Sequence, residues 1–78
     1  MATRNNPGTF DCYNAAGPDE PMFILLARDR QAPALIEKWA RDRLAEIEQG
    51  TRPTADISQC LEALDCAQAM RLWRSTNR

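Results

Sequence analysis

Two stretches with helical apolar spacing, separated only by Gly50-Thr51-Arg52-Pro53, constrain this chain more than anything else in it. In the first, Ile36, Trp39, Ala40, Arg43, Leu44 and Ile47 recur at intervals of three and four, which draws one apolar stripe with an arginine set into its margin. Ala32 and Pro33 open this helix, because a first-turn N–H has no intrahelical partner to lose, and Gly50 stops it just past Gln49. In the second, Ile57, Cys60, Leu61, Leu64, Ala67 and Met70 line the core side. That helix is expected to begin near Thr54 or Asp56, with Asp56 and Gln59 spaced as a capping box. A connection this short favours an antiparallel hairpin.

The preceding part of the chain is less regular. Residues 1–9, Met-Ala-Thr-Arg-Asn-Asn-Pro-Gly-Thr, lack periodicity and read as a flexible arm, leaving residues 10–78 as a single small helical domain. Asp11 is placed to cap a helical turn over 12–16, ended by Gly17 and Pro18, with Phe10 and Tyr13 holding it to the rest. Asp19, Glu20 and Pro21 form another start signal. The run that follows, Met-Phe-Ile-Leu-Leu-Ala at 22–27, reads as a short helix, with a short buried strand as the alternative; both readings bury it deeply.

The expected fold is therefore all-α, a small antiparallel helical hairpin covered by short N-terminal helical segments. A core of this size leaves only about a few kcal/mol of net stability. Leu72 and Trp73, which widen the apolar surface of the last helix, are accordingly expected to form a subunit contact in a homo-oligomer; the alternative is that the N-terminal segment covers them.

Composition then narrows the chemistry. The chain has no histidine, which excludes His-based zinc sites, Ser-His-Asp triads and Cys-His pairs. Its three cysteines, Cys12, Cys60 and Cys66, form no Cys-x-x-Cys pair; Cys12 reads as a small buried apolar residue, and Cys60 and Cys66 fall on different helix faces. Asp11, Asp19, Glu20 and Asp29 could exchange protons, and Asp19, Glu20 and Asp29 could hold magnesium, but caps and local ion pairs account for them better. No glycine-rich phosphate loop accompanies them. The expectation is a non-enzymatic chain without metal or cofactor.

A formal net charge of −1 gives no basic field for duplex DNA. Residues 1–8 are polar and no apolar stretch follows that could serve as a signal-peptide core, while the longest apolar run is far short of the roughly 20 residues needed to span a bilayer. The chain is expected to be cytoplasmic, with no membrane partner.

Binding is the class the residues favour. Nine of the ten basic residues are arginines, whose planar forks suit carboxylate or phosphate, and Tyr13, Trp39 and Trp73 supply flat rings. The plainer reading pairs most arginines with acids three or four positions away, as Glu37 would pair with Arg41.

The string Phe10-Asp11-Cys12-Tyr13, with Pro18-Asp19-Glu20-Pro21-Met22-Phe23 after it, resembles a group of short proteins encoded by bacteriophages and prophages; the similarity continues through Ala32-Pro33 and Trp39-Ala40 to Ala67, Met70 and Trp73. The resemblance implies a phage origin and action in the cytoplasm of an infected bacterium, and carries over no catalytic residue. Within it, counter-defence is the expected role. One strategy is a sponge for a bacterial immune nucleotide signal, with Tyr13 stacking, Arg28, Arg30 and Arg43 on phosphates, and Asn14 or Asp29 on ribose or base edges. The others are a protein-binding inhibitor of a defence complex such as a CRISPR effector, and a structural adaptor of the virion.

Overall fold

The computed structural model describes residues 3–76 and is all-α, with no strand among the described residues. Helix α1 spans Cys12–Ala15, α2 spans Ala32–Glu48, a 3-10 turn covers Thr54–Asp56, and α3 spans Ile57–Thr76. Each boundary has a local cause. The Asp11 carboxylate accepts from the Tyr13 N–H at 3.2 Å, capping α1. Pro33 sits in the first turn of α2, and Gly50, at φ +81°, adopts the left-handed conformation that ends it. Asp56 does not cap α3 as the spacing predicts: it closes the 3-10 turn, and its carboxylate accepts from Arg52 at 3.3 Å.

The long helices are tied at both ends. Arg52 in the connection also donates to the Glu46 carboxylate at 2.7 Å, and the Thr51 N–H and hydroxyl both reach the Glu46 carbonyl. Arg71 meets Glu37 at the other end, so the first turns of α2 lie beside the last turns of α3. The interior is made of small side chains. Ala32, Ala40, Cys60 and Ala67 are fully buried, which lets the two backbones approach closely, while the larger residues of both stripes stay at the edges.

Three expectations about the N-terminal part are corrected. Residues 22–27 form neither helix nor strand: residues 20–26 have no regular secondary structure, and Phe23 is 85% exposed. An interior closed by alanines offers no groove for large side chains, and six residues following Pro21 gain too few hydrogen bonds to offset helix nucleation. Second, α1 does not cover α2 and α3, since none of its Cα atoms comes within 8 Å of another helix or of the 3-10 turn. Tyr13 is consequently 71% exposed and not held down. Third, Cys12 is exposed rather than buried, because the turn that carries it packs on neither α2 nor α3. Of the arm, residues 1 and 2 lie outside the described residues, while Thr3 and Asn6 close a turn through reciprocal backbone hydrogen bonds of 2.7 and 3.1 Å.

Candidate functional site

Arginines converge where α2 begins and α3 ends. Arg30, in the joint before α2, and Arg71, Arg74 and Ser75, on the last turns of α3, line an open cleft of about 370 Å³ together with Pro33 and Ala34. Positions 71, 74 and 75 share a side of α3 by helical spacing, and the close contact of the two helices brings Arg30 over them. Arg71 is held in a two-pronged pair with Glu37: its second terminal nitrogen donates at 2.7 Å, and the first donates to the other carboxylate oxygen. That pair holds the Glu37 carboxyl below the usual glutamate range, chiefly through the hydrogen bond from Arg71 and only secondarily through Arg41. Glu37 therefore spends its charge mainly across the helices, not on the neighbour predicted four residues away.

Arg74 differs from Arg71. Its Nη1 is buried and meets no hydrogen-bond acceptor among the described residues. A buried donor on a cation is costly to leave unmade, which sets Arg74 apart from the other arginines of the cleft. Ala34 adds the first turn of α2, where N–H groups and the helix dipole favour negative charge.

A second cleft of about 240 Å³ adjoins the end of α3, lined by Leu26, Ala27, Arg28 and Trp73. The two clefts share the 26–30 joint and the 71–75 segment of α3. An arginine-rich hollow thus lies beside one walled by an indole.

The residues predicted to form the ligand site are dispersed among these features. Arg30 lines the first cleft and Arg28 the second. Asp29 is used locally, accepting from the Gln31 N–H at 2.9 Å and, by its carbonyl, from the Ala32 N–H at 3.1 Å. Asn14 donates to the Asp11 carboxylate at 2.5 Å and stays with Tyr13 on the exposed α1. Arg43 stacks over the Trp39 ring, 4.4 Å from its centroid. Along α2 it lies on the order of 16 Å from the end that carries Arg30, so these two arginines do not share a cavity of one chain. Leu72 and Trp73, predicted as subunit contacts, are both exposed. Arg71 and Arg74 are the cleft residues that sequence reasoning did not single out; only the approach of the end of α3 to the joint before α2 reveals them.

Among the described residues, no group of three or more Cys, Asp or Glu is arranged to hold a metal ion, and no helix is long and apolar enough to cross a membrane. No protein-family model, curated protein or solved structure matches the chain.

Proposed function

We propose that this chain is a non-catalytic, homo-oligomeric binding protein built on an antiparallel α2–α3 hairpin, which sequesters a phosphate-bearing nucleotide signal. On this reading Arg30 and Arg74 take the phosphates, Arg71 is held beside them by Glu37, and Trp73 offers its ring to the base from the adjoining cleft. The observation that carries the reading is the gathering of three guanidiniums, Arg30, Arg71 and Arg74, on one open cleft, with the Nη1 of Arg74 unpartnered among the described residues. A sponge needs affinity and no turnover, and arginines with an aromatic wall supply that without an acid–base pair. With the resemblance to phage proteins, the setting is the cytoplasm of an infected bacterium and the target a bacterial immune nucleotide.

The test is titration of the purified chain with ADP-ribose and with a cyclic dinucleotide, alongside Arg74→Ala and Arg30→Ala. Saturable binding weakened at least tenfold by each substitution supports the reading. Failure of both probes to bind overturns it for these nucleotide classes.

A second reading is favoured by one observation, the exposed Phe23 and Ile24 on an extended segment. Such a segment can cover a functional surface of a defence complex, as a protein-blocking inhibitor does. In that case Phe23→Ser abolishes counter-defence while Arg74→Ala leaves it intact.

A further inference from the structure

The accessible surface of the chain is 6312 Å², whereas a folded monomer of 8.8 kDa is expected to expose about 4,800 Å². The radius of gyration agrees, at 13.4 Å against about 11.5 Å for a globular chain of this length. A surplus of roughly 1,500 Å² exceeds the roughly 800 Å² that each partner buries in a standard interface. Architecture gives the same answer, because α2 and α3 form a single layer and domains are stable as two packed layers.

Part of that surplus lies in the exposed residues before α2 and part in one ordered strip on α3. At about 100° per residue, Ile57, Leu61, Leu64, Gln68 and Leu72 fall in one band beside the line through the buried Cys60 and Ala67. The band repeats at intervals of three and four and contains no Asp, Glu, Lys or Arg. Leu61 is 52% exposed and Leu72 63% exposed. Three-and-four spacing is the pattern of helices that pack side by side at a shallow angle, and one polar residue in such a seam fixes the register.

We infer that a second copy of this chain packs on that strip, α3 against α3, making a four-helix homodimer about a two-fold axis. A two-fold contact places the same patch on both sides, so an uncharged apolar strip is complementary to itself. Gln68 carries both a donor and an acceptor and can satisfy the same residue of the second copy. The inference deepens the oligomeric part of the proposed function and is independent of its ligand: it includes Leu72 and places the main contact on the Ile57 to Leu72 strip, leaving Trp73 to the cleft beside Arg28.

The test is the mass of the full chain by sedimentation equilibrium at about ten micromolar, for wild type, Leu61→Lys, Leu72→Lys and Leu35→Lys. Leu35 lies on α2, outside the strip, and is 51% exposed, so on a monomer it is as harmless a site as Leu61. The expected result is a dimer for wild type and Leu35→Lys, with association weakened at least a hundredfold in the two strip variants. Should a strip variant fail to fold, the wild-type Tm decides: it must rise with protein concentration if folding and pairing are linked. A monomeric wild type, a Tm independent of concentration, or equal loss of association in Leu35→Lys overturns the inference. Nucleotide binding is scored separately, so a dimer that binds neither probe keeps this inference and removes the sponge.

Discussion

Glu37 and Arg71, 34 positions apart in sequence, form a two-pronged carboxylate–guanidinium pair that joins the start of α2 to the end of α3. The Glu37 side chain is only 20% exposed, and its pKa lies below the ordinary 4.5 because the hydrogen bond from Arg71 favours the charged form. A carboxyl whose pKa falls on folding contributes stability above its unfolded value and loses it as pH drops through the folded value. The wild-type Tm should therefore fall more steeply than that of Glu37→Gln below about pH 4.5. At neutral pH Glu37→Gln should melt at the lower temperature. Parallel curves at acid pH would show that the pair is not what holds this end together.

The close approach of α2 and α3 depends on alanine. Ala40 and Ala67 are fully buried, so Ala40→Leu or Ala67→Leu has to push the helices apart. Each should cost about 1–3 kcal/mol in urea unfolding. A neutral substitution would place these residues at a looser interface than the one described.

Gly50 and Gly17 separate backbone conformation from space. At Gly50 a Cβ would meet nothing within 4 Å, yet its φ of +81° is one that side chains resist. Gly50→Ala should lose about 1–2 kcal/mol for conformation alone. Gly17→Ala meets only ordinary contacts with Glu20, at 3.6 and 3.8 Å, and should change stability by less than about 0.5 kcal/mol.

Arg43 distinguishes the site read from sequence from the one the structure forms. Stacked on Trp39, it contributes to α2 rather than to the cleft. Arg43→Gln should cost about 0.5–1 kcal/mol and leave nucleotide binding unchanged. A large loss of binding in this variant would return Arg43 to the ligand.

The parts of the fold that were legible in the sequence are those with local causes. Asp11 announces α1, Ala32-Pro33 and Gly50 bracket α2, and the 3-10 turn begins at Thr54, where the last helix was expected to start. The run at 22–27 was not legible, because its apolar character says that it needs a partner and not whether this chain supplies one. Whether a groove exists depends on Ala40, Cys60 and Ala67 closing the interior from another part of the sequence. The cleft was half legible for a related reason. Arg30 stood out beside the apolar run, whereas Arg71 and Arg74 gain their meaning only once the two long helices bring them opposite it.

The most direct test of the account is recovery of ligand after binding. The full chain is saturated with ADP-ribose or a cyclic dinucleotide, washed, heat-denatured, and the released small molecule identified and counted. The account predicts that at least one probe returns chemically unchanged, in proportion to protein, and that Arg74→Ala returns little of it. Release of a converted product in excess of protein would contradict it.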